Sequence, residues 1–158
     1  MTKDRKQQYT LRISQANSTE LVVILYEMLL DYLEEGRLAC KVADTETKRE
    51  ALRKARGCIN ELMQSLNQAY EPAPALMQIY LYCLKRLAHC ERKDDEDGFE
   101  EISRIIAPLC DAYRQLIPLN QKGPVMNNSQ TVYAGLTYGR NTLTENMADQ
   151  SANRGMFV

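Results

Sequence analysis

Asn17-Ser18-Thr19-Glu20-Leu21-Val22-Val23-Ile24-Leu25-Tyr26-Glu27-Met28-Leu29-Leu30-Asp31-Tyr32-Leu33 is the stretch that decides the fold. Asn17 is an N-cap residue, and Glu20 stands three positions on, where a capping box places its acid. Beyond it apolar residues recur at spacings of three and four, which predicts a helix running to about Val42, with Asp44 and Thr45 opening the next connection. Projected on a helical wheel, Leu21, Val22, Val23, Leu25, Tyr26, Met28, Leu29, Leu30, Tyr32 and Leu33 cover roughly 220°. Only Glu27, Asp31, Glu34 and Glu35 define a wet stripe. A helix with one core-facing side needs a stripe of roughly 100–150°, so this one is either central and fully buried or has apolar surface left over.

Three more periodic segments follow. The second, about 46–70, carries Leu52, Ala55, Ile59, Leu62, Leu66 and Ala69 on an ordinary arc of roughly 140°. Glu71-Pro72-Ala73-Pro74 ends it, and Pro74 suits the first turn of a third helix. Leu76, Ile79, Tyr80, Cys83, Leu84 and Leu87 mark the inner face of that third helix until the charged run Glu91 to Asp97. With Met77, Leu81 and Ala88 its apolar arc widens to roughly 200°. The fourth, about 98–117, repeats the period at Phe99, Ile102, Ile106, Leu109, Tyr113 and Leu116, with Pro108 inside it expected to kink it or break one hydrogen bond. Short connections make consecutive helices antiparallel neighbours, so the expected fold is all-α: an antiparallel four-helix bundle. Its flanks are an N-terminal lid segment, in which Tyr9, Leu11 and Ile13 alternate at period two, and a polar C-terminal tail. The expected division is 1–16 lid, 17–118 bundle and 119–158 flexible tail. Residues 119–158 carry four of the seven glycines and are dominated by Asn, Gln, Thr and Ser. Two apolar beads interrupt them, Val132 to Tyr138 and Met156 to Val158, which could lie on the bundle or recruit another component.

Composition narrows the function. The chain has 158 residues with 20 Lys+Arg against 21 Asp+Glu, a net charge of −1, which argues against a nucleic-acid module with a clustered basic footprint. Mean hydropathy is −0.46, and no apolar run approaches the ~18 residues of a membrane span. The start, Met1 to Thr10, has no apolar run of a secretory signal, so a cytoplasmic location is expected. The five cysteines form no C-x-x-C pair and read as buried, reduced thiols. The sole histidine, His89, has no partner at metal-ligand spacing and reads as a helix-end surface residue.

Signs of turnover chemistry are missing. No phosphate-binding, dinucleotide or nucleophile-elbow motif occurs, and the residue three before His89 is Arg86, which breaks the di-iron pattern. Lys93 to Gly98 superficially suggests a calcium loop, but Lys93 and Arg104 would fall where carboxylates are required, so it reads as a solvated turn capping the last helix. The carboxylates Glu27, Asp31, Glu34 and Glu35 have nothing nearby to tune them. No enzyme, no metal and no cofactor is expected.

Several separated blocks resemble a known family. Ile13 to Leu21 is similar to the V-x-T-A-S-P-x-E-L that leads into the first helix of the flagellar export chaperones of the FliS family, and Leu25-Tyr26-Glu27 to its L-Y-D. Lys54-Ala55, Ile59, Glu61-Leu62 and Leu66-Asn67 resemble its K-A-x-x-I-I-x-E-L-x-x-x-L-D helix. Ile79-Tyr80-Leu81-Tyr82, followed by Arg86-Leu87, is similar to L-Y-x-Y-x-x-x-R-L. The resemblance covers roughly residues 9–117. Ser18 replaces a Pro, Glu27-Met28 replaces Asp-Gly, and Tyr113 stands where a Trp is common.

The resemblance implies a cytoplasmic chaperone that binds the disordered C-terminal region of flagellin, prevents premature polymerisation and presents the subunit to the flagellar export apparatus. On that reading Ile59, Leu62, Met63 and Leu66 contribute to the binding groove, with Tyr9 and Ile13 as a movable lid or contact. Ile59, Leu62 and Leu66 also lie on the core stripe, so Met63 at its edge is the better discriminator. A monomer or weak dimer is expected, with neither nucleic acid nor inserted membrane as partner. The alternative is a self-associating bundle whose spare apolar faces meet in a homodimer.

Overall fold

The computed structural model describes residues 1–126. Among them the chain is all-helical: α1 (Lys3–Gln15), α2 (Ser18–Lys41), α3 (Thr45–Ser65), α4 (Ala73–Arg92), α5 (Glu96–Leu116) and a 3-10 turn at Ile117–Leu119. The described residues divide into two compact units, Thr19–Leu119 together with Met1, and Thr2–Ser18 together with the described residues from Asn120.

The larger unit is the antiparallel four-helix bundle. Contacts at opposite ends of α2 and α5 fix their direction: Glu27 pairs with Arg114 at 3.0 Å, and Arg37 with Glu96 at 2.9 Å. Arg86 of α4 binds both Asp95 and Glu101 at the start of α5, and Tyr82 also donates to Glu101. Arg56 of α3 pairs with Glu91 of α4 at 2.9 Å. Inside, Tyr26, Leu29, Leu33, Leu52, Ile59, Leu62, Tyr80, Leu87, Phe99, Ile102 and Ile106 form one core contributed by all four helices. Tyr26 and Tyr80 bring their hydroxyls together in it, so each buried ring satisfies its polar tip. Burial raises the Tyr26 hydroxyl far above the usual tyrosine range, so the pair stays neutral.

The turn from α2 to α3 shows how local chemistry sets the fold. The Asp44 N–H donates to the Ala39 carbonyl at 2.9 Å and the Ala43 N–H to that of Cys40 at 3.2 Å, the paired bonds of a Schellman stop. Asp44 then caps α3, its side chain accepting from the Thr47 N–H at 3.1 Å. The motif requires a left-handed residue, and Ala43 fills the place at φ 56° although its Cβ disfavours it. Ala43→Gly is expected to stabilise the protein by about 1 kcal/mol, read as a raised denaturation midpoint in urea. Asp95 does the same work for α5, accepting from the Gly98 N–H at 3.1 Å, as the solvated-turn reading of Lys93 to Gly98 expects.

The structure corrects two expectations and bears on a third point left open. Residues 3–15 form a helix rather than a period-two strand-like segment: Thr2 caps it by accepting from the Arg5 N–H, and the Arg5 and Arg12 guanidiniums lie 5.3 and 5.7 Å from the Tyr9 ring centroid. Tyr9 and Ile13 therefore share one face at i and i+4, while Leu11 points away, 60% exposed. The second bundle helix ends at Ser65 rather than near 70, because Asn67 takes over the backbone: its side chain accepts from the Ala69 N–H and its carbonyl from the Tyr70 N–H, both at 3.0 Å. The wide apolar arc of α2 is covered, since Val23, Leu25, Tyr26, Leu29, Tyr32 and Leu33 are buried and Leu21, Val22, Met28 and Leu30 half-buried. Pro108 sits on the exposed side of α5, which runs through it without a break. Within the second unit the Val125 N–H donates to the Ala16 carbonyl at 2.9 Å, and the side chain of Asn120 to that of Ser18 at 3.1 Å. The tail's beads, Val132 to Tyr138 and Met156 to Val158, lie outside the described residues.

Candidate functional site

On α4 an apolar stripe reaches the surface. Met77, Leu81, Leu84 and Ala88 fall at i, i+4, i+7 and i+11, a single stripe along α4, and Glu91 continues it. Glu91 pairs with Arg56, so this stripe borders α3. On α3, Arg56, Asn60 and Met63 share the flank that turns toward α4. The seam between the two helices thus carries Met63 from one side and Met77, Leu81 and Leu84 from the other, with the Arg56–Glu91 pair across one end. Leu81 is 45% exposed, and Met63, Met77, Leu84 and Ala88 are half-buried. Large flexible apolar side chains held at the surface in a row suit an apolar helical or extended segment of another polypeptide.

The residues singled out in the sequence separate here. Ile59 and Leu62 are fully enclosed in the core, directly beneath the α3 side of the seam. Met63 and Leu66 lie half-buried at its margin, packed against that core. On α1, Tyr9 is buried and Ile13 half-buried. Met77, Leu81 and Ala88 were legible as spare apolar arc. Leu84, assigned to the inner face, packs against the core and is half-buried where that face meets the stripe.

The electrostatics are those of a binding surface with neutral interior groups. Burial pushes the Cys58 thiol up to about 12 and those of Cys83 and Cys90 to about 11, so all three are protonated at neutral pH. Cys40 is half-buried, while Cys58, Cys83, Cys90 and Cys110 are buried. A thiol reagent is therefore expected to modify Cys40 alone in the native protein and the other four only at the rate of unfolding, read as one fast-reacting thiol by mass spectrometry. The hydrogen bond from Arg86 holds Asp95 below the usual carboxylate range, and hydrogen bonds from Tyr82 and then Arg86 do the same for Glu101. Arg86, quoted above in the L-Y-x-Y block, thus organises the α4–α5 corner. Among the described residues no group of three His, Cys, Asp or Glu is placed to hold a metal ion, and no helix is long and apolar enough to cross a membrane.

Fold and surface define the class: an antiparallel four-helix bundle with an apolar strip along the outside of two helices. The family described as flagellar protein FliS matches residues 1–120. The flagellar secretion chaperone FliS of Bacillus subtilis (strain 168) is 29% identical over 110 residues, covering 70% of this chain and 83% of that protein. Its namesake from Salmonella typhimurium (strain LT2) is 28% identical over 109 residues, covering 67% of this chain and 81% of that one. The chain belongs to the FliS family, whose members here are chaperones of flagellar secretion.

Proposed function

We propose that the chain is a cytoplasmic export chaperone that binds the C-terminal segment of flagellin, keeps it from polymerising early and delivers it to the flagellar export apparatus. The observation that carries this reading is the α3–α4 seam, a row of half-buried apolar side chains with Leu81 45% exposed among them. Met63 and Leu66 form its α3 margin, with Ile59 and Leu62 as the packed floor that holds them in place. Tyr9 and Ile13, on one face of α1, are further contacts for the cargo. A disordered segment that folds on the seam buries on the order of 1,000–3,000 Å² and gives back a few kcal/mol in ordering, which keeps affinity moderate and release feasible. The protein then works by binding, without turnover.

Calorimetric titration of the full chain with the C-terminal segment of flagellin tests this. One-to-one binding with a negative heat-capacity change is expected, together with loss of binding when that segment is deleted from flagellin. Absence of heat with the segment overturns the cargo. Light scattering that finds a permanent dimer with both seams covered replaces this reading by self-association.

A further inference from the structure

The near-zero net charge of the whole chain hides a division that only the helix arrangement exposes. α3 carries five basic and three acidic residues, and α4 three and one, so the side of the bundle they form has a net charge of +4. α2 and α5 each carry two basic and five acidic residues, so the opposite side has −6. The apolar seam lies on the positive side, with one cation along its α4 rim and a cluster past the end closed by Arg56 and Glu91. Lys85 borders the α4 stripe between Leu81 and Ala88, while Arg53 and Arg49 continue the α3 flank past the Arg56–Glu91 pair and Arg92 follows Glu91 at the same end. Arg53 and Arg56 are paired, with Glu50 and Glu91. Arg49, Lys85 and Arg92 are exposed and make no ion pair among the described residues.

We infer that the seam is built for one kind of partner, an amphipathic helix whose apolar stripe is flanked by Asp and Glu. This rests on the seam as the binding surface, as the proposed function does, and adds the chemistry of what it accepts. An apolar row alone attracts any greasy segment; unpaired cations beside it and at its end favour an acid-flanked one, speed its encounter and disfavour a base-flanked one. A generic polyanion would need the cations and not the apolar row, so the row decides for a polypeptide over nucleic acid or an anionic membrane.

The test uses the full chain and two synthetic helical peptides with the same apolar face, one flanked by Glu and one by Lys. At low salt the Glu-flanked peptide is expected to bind at least about tenfold tighter, with the preference shrinking toward 1 M salt, where the Debye length is about 3 Å. Arg49→Glu with Lys85→Glu should reverse the preference with the circular dichroism melt unchanged. Glu100→Lys with Asp111→Lys, on the opposite side, should leave it in place. Equal affinity for the two peptides overturns the inference, as does an equal response to both pairs of substitutions. Binding of heparin or anionic vesicles that survives Leu81→Glu assigns these cations to polyanions and overturns it too. So does association of the chain with itself at low salt that the Arg49 and Lys85 changes abolish. Acid-flanked preference without binding of the flagellin segment removes the cargo and leaves the surface chemistry; flagellin binding without the preference does the reverse.

Discussion

Gly36→Val is expected to destabilise the bundle by about 3 kcal/mol, at the upper end of overpacking costs. A Cβ at Gly36 would stand 2.5 Å from Cε1 of Phe99, closer than real side-chain contacts come. Phe99 is 1% exposed, locked in the first helical turn of α5, and has nowhere to swing. A glycine inside a helix costs about 1 kcal/mol against alanine, so its presence in α2 is compensated by the close approach it permits. Gly57 on α3 is the control: nothing lies within 4 Å of a Cβ placed there. Gly57→Ala should therefore stabilise by about 0.5–1 kcal/mol, while Gly36→Val should lower Tm by about 6–12 °C in a chain of this size. A Gly36→Val protein that melts within about 2 °C of the parent would show that α2 and α5 are not held this tightly.

The same pair of helices shows which features were legible in the sequence. Strong periodicity located α2, α4 and α5 to within a few residues, and the Asp95 cap was recognisable because its turn fails as a cation loop. α1 was misread because Tyr9, Leu11 and Ile13 satisfy a period of two as well as an i, i+4 step, and the deciding signals are weak ones: the Thr2 cap and the arginines either side of Tyr9. α3 was drawn too long because Leu66 and Ala69 continue its apolar period, while a single Asn67 ends the helix through backbone hydrogen bonds that periodicity does not register.

The breadth of an apolar arc tells how much surface must be covered but not by what. α2 and α4 looked alike in sequence, and both keep half-buried residues on their arcs; α4 adds Leu81 to its stripe, 45% exposed. For the same reason Ile59 and Leu62 could not be told from groove residues: core and groove use the same chemistry and differ only in what lies above them. The charge division was hidden for a further reason. The two basic helices lie between the two acidic ones along the chain, so their sum nearly cancels, and the sides emerge only once α3 is known to lie beside α4 and α2 beside α5.

Leu81→Glu is expected to weaken binding of the flagellin segment by about 30-fold or more while leaving the fold intact. Leu81 is half in water already, so a carboxylate there costs the free protein little. In the complex the same carboxylate would be enclosed by an apolar stripe without a partner, a burial that costs about 2 kcal/mol or more, and each 1.4 kcal/mol is about tenfold in Kd. Met63→Glu should lose affinity similarly but melt slightly lower, because Met63 also packs against the core. Leu81→Ala, which removes contact without adding charge, should fall between the parent and Leu81→Glu. Calorimetric titration beside a thermal melt separates the two effects. An unchanged melt with affinity within threefold of the parent for both Glu variants would mean that the cargo sits elsewhere on the bundle. A graded loss in the order Ala, then Glu, would place the apolar row under the bound segment, since a remote site has no reason to register both the lost contact and the added charge.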